Sequence, residues 1–133
     1  MNSIVQKPIL FLVPLFFSSH GWSASSYHCY ELAGAKIIAK DGTYLGTLSE
    51  KYNSDSIFNE HSVHGSTYSS NSIWNRFSEY GNEYSSQSAF NDHAANPPVL
   101  LKDGEVIGRI STDPYAYDGT NPLRLGEECG WAD

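Results

Sequence analysis

Three histidines with acidic neighbours are the residues of this chain whose types and spacing could do chemistry. His61 and His64 lie three residues apart, and His93 follows Asp92 as His61 follows Glu60. Histidine nitrogens and carboxylate oxygens are ligands of zinc. His61, His64 and His93 could therefore hold a divalent metal, and the alternative is that they are ordinary surface or packing side chains.

A phenylalanine in the next stretch of sequence favours the second interpretation. Residues 53–68 and 69–84 are identical at seven of sixteen positions without a gap, and this alignment places Phe77 opposite His61. A position that accepts either residue suggests a flat ring used for packing. We therefore expect no cofactor, and a divalent metal is the minor alternative.

Several common catalytic motifs are absent from the sequence. The chain has no Gly-x-Ser-x-Gly nucleophile elbow, no His-Glu-x-x-His motif and no Gly-rich phosphate loop after a strand. The members of a Ser-His-Asp triad need only meet in space, so a triad is not excluded. The sequence favours a non-catalytic protein.

The sixteen-residue spacing continues into a third, shorter unit, so that the units are 53–68, 69–84 and 85–98. Ser, Asn and Gly are frequent and there is no helical apolar stripe, which predicts two short strands and two turns in each unit. The positions that recur in all three units are mostly serines and asparagines, and an aromatic residue precedes each asparagine. They are Ser54, Ser70 and Ser86; Ser56, Ser72 and Ser88; Asn59, Asn75 and Asn91; and Phe58, Trp74 and Phe90.

These recurring residues have architectural and functional interpretations. In a ring, the asparagine amides could converge on an ion, but calcium prefers carboxylates, so we favour asparagines that close their own turns. The repeated Tyr and Trp side chains could form a sugar- or peptide-binding surface. We favour core packing for them.

Two similar segments flank the units and predict β-hairpins. They are "IIAKDGTYLGTLS" (37–49) and "VLLKDGEVIGRIS" (99–111). Asp-Gly between β-prone runs is typical of a two-residue type I′ turn, so Asp41-Gly42 and Asp103-Gly104 should each turn a hairpin. Gly46 and Gly108 occupy equivalent places and suggest a bulge or a close backbone approach.

The two ends of the chain predict export and a disulfide. Residues 1–23 have the layout of a secretory signal peptide, with cleavage between Gly21 and Ser25, which leaves one domain over 24–133. In an exported chain, Cys29 and Cys129 are expected to form a disulfide that closes a long loop. Repeat units that cannot bury a face on their own must stack in a line or close into a ring. The predicted disulfide between the two ends of the chain favours a ring.

The run "SIWN…YG..YS..S..FN….PP" followed by "KDGEVIGRIS" resembles the 4-fold β-flower family of small bacterial proteins. The resemblance covers residues 41–112 and implies an all-β fold: a small, closed, pseudo-fourfold arrangement of short hairpins, in which terminal hairpins close the three repeats. The first unit departs from the family pattern, because "NEHSVHG" (59–65) replaces the expected run. The family implies no activity or catalytic residue.

The net charge of the chain limits the kinds of partner that it can bind. Without Lys7 the chain has seven Lys and Arg against fifteen Asp and Glu, a net charge of −8, which excludes nucleic acid as a good partner. We expect a periplasmic or secreted monomer with no membrane span after signal cleavage. Its predicted function is to bind an unknown protein, peptide or glycan without catalysis. The alternatives are a structural envelope protein and, less favoured, a metal-dependent enzyme that uses the three histidines.

Overall fold

A five-stranded sheet forms the regular part of the structure. The computed structural model describes residues 28–132. The strands are β1 (Lys36–Ile38), β2 (Tyr44–Thr47), β3 (Val99–Lys102), β4 (Glu105–Ile110) and β5 (Gly119–Thr120), in the order β2-β1-β3-β4-β5. All neighbours are antiparallel except β4 and β5. The mainly β content confirms the all-β class, but the sheet is open and is not itself a closed arrangement.

Helix is confined to two short segments in the described part of the chain. Residues 28–32 form α1, and α2 spans Pro122–Cys129. Asn121 caps α2 by accepting a hydrogen bond from the Leu123 amide at 2.8 Å, and Gly130 ends it with a left-handed φ of 71°. No helix among the described residues is long and apolar enough to cross a membrane.

The chain divides into two units, Met1–Glu31 and Leu32–Asp133. The sheet, α2 and the three sixteen-residue units all lie in the second. The predicted signal peptide over 1–23 and its cleavage site lie outside the described residues.

The second hairpin has the predicted turn. Lys102 pairs with Glu105, and the two residues between them, Asp103 and Gly104, have φ of 53° and 81°. Positive φ at both central positions defines a type I′ turn, whose twist matches that of the flanking strands. The prediction at Asp103-Gly104 is confirmed.

The first hairpin turns differently. The Ala39 amide donates to the Thr43 carbonyl, and the Gly42 amide donates to the Ala39 carbonyl, so three residues form the loop. Gly42 alone has positive φ there, at 90°, as in a type I turn followed by a left-handed residue. The two-residue turn predicted at Asp41-Gly42 is wrong, because the Asp41 carboxylate accepts from the Thr43 amide at 2.9 Å and closes a wider loop.

Hydrogen bonds join this first loop to the middle sixteen-residue unit. The Tyr80 hydroxyl donates to the Asp41 carboxylate at 2.8 Å and also bonds Thr43 Oγ1 at 3.0 Å. Hydrogen bonds from Thr43, and then from Tyr80, hold the pKa of Asp41 below its ordinary value. The loop is therefore anchored by a charged acceptor rather than by apolar packing.

Both predicted glycine irregularities occur. The register of β1 against β2 shifts between the pairs Lys36–Thr47 and Ile38–Tyr44, which enclose Gly46. The register of β3 against β4 shifts directly after the residue paired with Gly108. Gly46 has φ of 108°, and a Cβ there would lie 2.7 Å from the His64 Cβ. The bulge and the close approach are confirmed.

The sixteen-residue units contain consecutive turns instead of the predicted strands. Between residues 51 and 98 the only β pairing is a parallel bridge from Thr47 to Ser56. The expectation of two strands in each unit is wrong, since side chains of the units themselves satisfy the backbone. The units still supply core, because Ile57, Ile73 and Ala89 are as fully buried as Ile37 of the sheet.

The two cysteines are oxidised. Cys29 and Cys129 are both disulfide-bonded, and no free cysteine exists in the chain. The predicted disulfide is therefore confirmed.

The crowding at Gly46 yields a stability prediction. Gly42 and Gly46 both have positive φ, but a Cβ at Gly42 would meet nothing within 4 Å. We expect Gly42→Ala to cost about 1 kcal/mol of unfolding free energy from backbone strain alone, and Gly46→Ala about 3 kcal/mol because the clash is added. Urea unfolding measures both. Equal losses would show that the approach of His64 to Gly46 does not constrain the fold.

Candidate binding surface

A ladder of serine and asparagine side chains organises the sixteen-residue units. In the middle unit each of these side chains accepts a hydrogen bond from the backbone amide two residues later, at 2.7–3.2 Å. The acceptors are Ser69, Ser72, Asn75, Ser78 and Asn82. Such bonds stabilise turns in place of strand pairing. The same bonds recur sixteen residues away, for example at Ser56 and Ser88.

The recurring asparagines use both ends of their amide groups inside their own units. The oxygen of Asn75 accepts from the Phe77 amide at 2.9 Å, and its nitrogen donates to the Ser69 carbonyl at 2.9 Å. Asn59 and Asn91 make the equivalent pair of bonds. These contacts agree with asparagines that close turns rather than converge on an ion.

The recurring buried serines orient a column of aromatic rings. Ser56, Ser72 and Ser88 are fully buried, and their hydroxyls accept from the amides of the aromatic residues that follow. Ring centroids are 6.3 Å apart for Phe58 and Trp74 and 5.5 Å apart for Trp74 and Phe90. Trp131 packs on Phe58 at 6.3 Å. We call Trp131, Phe58, Trp74 and Phe90 the aromatic column.

The two bonds of Asn75 give a second stability prediction. Asn75 is buried, so Asn75→Ala removes two part-buried hydrogen bonds, one from the Phe77 amide and one to the Ser69 carbonyl. We expect a loss of about 1–3 kcal/mol in chemical unfolding. Asn71→Ala is the control, since the exposed Asn71 side chain makes no hydrogen bond within the described chain, and its stability should stay unchanged. A stable Asn75→Ala that lost ligand binding would instead make the asparagines functional.

The position shared by His61, Phe77 and His93 is on the surface. All three side chains are exposed, and Phe77 is 95% exposed. The packing interpretation of this position is therefore wrong. The asparagine two residues earlier bonds the backbone amide, so the side chain is held at the tip of a turn with no burial requirement.

A second repeat position with exposed side chains is occupied by tyrosines. Tyr52, Tyr68 and Tyr84 lie sixteen residues apart and are 83%, 92% and 85% exposed. Turn bonds also hold two of them: the Tyr68 amide donates to Ser66 Oγ, and the Tyr84 amide donates to Asn82 Oδ1. Core packing is therefore wrong for these residues, which we call the tyrosine row, whereas it holds for Trp74.

The three histidines are not grouped as metal ligands in the described part of the chain. Within residues 28–132 no group of three or more His, Cys, Asp or Glu side chains is placed to hold a metal ion. His64 instead shares a hydrogen bond with the Asn71 carbonyl at 3.0 Å and packs edge-on against Tyr44, with centroids 5.0 Å apart. The geometry gives the metal hypothesis no support.

An open groove of about 660 Å³ lies beside this histidine and contains Tyr44, Asp55, His61 and His64. The Tyr44 hydroxyl donates to Asp55 Oδ2 at 3.1 Å. Burial, and then the Asp55 carboxylate, raises the pKa of Tyr44 to about 12. The folded protein therefore keeps the Tyr44 proton, which is donated to Asp55, to a higher pH than an ordinary tyrosine would. Nothing in the sequence predicted this pair, because its members lie on different elements eleven residues apart.

The shifted pKa of Tyr44 can be measured by titrating tyrosinate absorbance. The titration is done in a Tyr80→Phe background, because the pKa of Tyr80 is raised as well. In that background Tyr44 should ionise near pH 12 instead of 10. Because the folded state holds the proton, this contribution to stability is complete below pH 10 and is lost as the pH rises through 12. The absorbance change near pH 12 should vanish when Tyr44→Phe is introduced. Asp55→Asn should move the pKa only part of the way back, since burial is the larger cause. An absorbance change near pH 12 that persists after Tyr44→Phe would contradict its assignment to Tyr44.

Comparison with protein-family models, with curated proteins and with solved structures gave no match. The resemblance to the 4-fold β-flower family therefore stays a prediction, and the function must be argued from the surface of this chain.

Proposed function

We propose that this protein is an exported, non-catalytic binding module that recognises an uncharged glycan through the tyrosine row. The observation that carries the proposal is the almost complete exposure of Tyr52, Tyr68 and Tyr84 at a strict sixteen-residue spacing. A fold gains nothing from large aromatic rings in water, so exposed rings at regular spacing favour a binding role.

The chemistry of tyrosine suits a sugar ligand. Its ring offers an apolar face against which the C–H face of a sugar ring can stack, and its hydroxyl can exchange hydrogen bonds with sugar hydroxyls. Tyrosine also loses little side-chain entropy on binding, since it has only two side-chain torsions. A regular row matches a polymer that presents the same chemical group repeatedly.

Charge restricts the polymer. The chain carries a net charge of −7, and the one Lys or Arg directly beside a member of the tyrosine row in the sequence is Lys51, whose ammonium lies 5.3 Å from the Tyr52 ring centroid. An anionic polymer would meet repulsion without a compensating basic patch. An uncharged polysaccharide avoids this repulsion, so it is the class that we propose.

Two further features support export and a rigid frame. Disulfide-bonded cysteines favour the periplasm or the extracellular space, where disulfides persist. The family resemblance implies a closed pseudo-fourfold frame for the three units. The four tilted rings of the aromatic column support the rigidity of this frame, because they pack in a continuous series through all three units and onto Trp131.

The proposal is tested with the double variant Tyr68→Ala/Tyr84→Ala in pull-down on insoluble polysaccharides and in affinity electrophoresis with soluble ones. Loss of two stacked rings should weaken binding by about tenfold or more, at about 1 kcal/mol or slightly less for each ring. Stability should stay unchanged, because these rings are exposed.

Tyr115→Ala/Tyr117→Ala is the matched control, since these tyrosines are 92% and 100% exposed but lie outside the units. It should retain binding. Equal losses in both double variants would overturn the tyrosine row as the site. Retention of no glycan, with a protein captured instead, would favour a protein partner. Full complementation of a deletion strain by the row variant would favour the structural envelope role.

A further inference from the structure

A second aromatic feature lies against α2, and no residue of the tyrosine row lines it. It is a groove of about 370 Å³, a volume in the range of small-molecule sites. Its walls are mainly apolar, with a single charged residue. Its principal lining side chains are Ile57, Phe58, Thr67, Trp74, Leu123 and Glu127.

Two rings of the aromatic column give this groove its shape. Phe58 and Trp74 are inclined at 53° with centroids 6.3 Å apart, so their faces diverge. The indole N–H of Trp74 donates to the Ile57 carbonyl at 2.5 Å, which fixes the ring. Since that donor is already used, the indole offers a ligand its π face and not a hydrogen bond.

The end of α2 places uncompensated negative charge at the same groove. Glu127 and Glu128 lie in the last turn of α2, which contains no basic residue, and the carboxyl end of a helix is itself partially negative. Arg124 pairs with Glu128 at 3.2 Å. Among residues 28–132, no ion pair involves Glu127. A cation in the groove would relieve the repulsion between the Glu127 carboxylate and the partially negative end of the helix.

We propose that this groove binds an organic ammonium ion, specifically a trimethylammonium group, with Glu127 as its counter-charge. Aromatic faces attract cations, most strongly where water is excluded. A primary ammonium group would need three hydrogen-bond acceptors, whereas the groove offers mainly the Glu127 carboxylate and the Thr67 hydroxyl. A trimethylammonium group needs no acceptors and presents methyl groups to the apolar walls. The proposed site contains no residue of the tyrosine row.

The test uses choline as the probe in calorimetric titration of the full mature protein. Its neutral isostere, 3,3-dimethylbutan-1-ol, has the same shape without the charge. We expect choline to bind and the isostere to bind about tenfold more weakly or worse, the factor that a cation–π contact with a counter-charge supplies.

Variants of the two adjacent glutamates distinguish binding at this groove from a general attraction of choline to acidic side chains. Glu127→Gln should weaken choline binding by about tenfold, and Glu127→Lys should abolish it by placing a tethered cation at the groove. Glu128→Gln, which removes the same charge from outside the lining, should leave the affinity within about twofold. Both positions are exposed, so all three variants should fold.

Three results would overturn the proposal: no saturation with choline at tens of millimolar, equal affinity for the neutral isostere, or equal effects of Glu127→Gln and Glu128→Gln. None of these experiments changes a residue of the tyrosine row, so failure here leaves the glycan proposal to be judged by its own variants.

Discussion

The structure depends on one local interaction, the hydrogen bond from a backbone amide to a serine or asparagine side chain two residues earlier. Residues 51–98 have neither a helix nor a strand ladder, yet they enclose the fully buried Ile57 and Ile73. Buried amides and carbonyls need partners. The side chains of the turn ladder provide them at steps of three or four residues, and no buried side-chain nitrogen or oxygen in the described chain lacks a partner. The sixteen-residue repeat is thus a repeat of this pattern of hydrogen-bond acceptors.

This interaction also decides which residues are free to vary. The amide that donates to Ser72 belongs to Trp74, which packs in the aromatic column. Both the serine and the ring are therefore constrained. The amides that donate to Asn75 and Asn82 belong to exposed residues, so the turn forms whatever side chains those residues have. Turn tips of the second kind can therefore change from histidine to phenylalanine without loss of the fold. Recognition residues can be placed there at little cost in stability.

The features predicted correctly from the sequence are those with a local cause. Positive φ at Gly104 and the irregularities at Gly46 and Gly108 follow from the backbone freedom of glycine, and positive φ at Asp103 from the tolerance of aspartate for the left-handed region. The helix α2 was missed although its signals are local too: an asparagine cap, Pro122 at the first position and Gly130 at the end.

The features predicted wrongly depend on contacts that spacing alone does not reveal. Strands were expected in the units because serine and asparagine disfavour helix, but the same side chains make strands unnecessary. Phe77 was expected to pack because phenylalanine is usually buried, and its exposure depends on where the turn points. The groove residues Tyr44 and Glu127 were not predicted, since each acquires its role from another element.

The turn ladder and the sheet are joined at both ends of the units, and this connection has a consequence for binding. The outer edge of β2 is covered because the Thr47 amide donates to the Asp55 carbonyl and the Ile57 amide donates to the Thr47 carbonyl. After the last unit, the Thr112 amide donates to the Ala89 carbonyl. The exposed rings are therefore attached to a backbone that is hydrogen-bonded in every unit and tied to the sheet on either side. Because the backbone beneath the tyrosine row is already ordered, binding would restrict mainly the side-chain torsions, and more of the contact energy would remain as affinity.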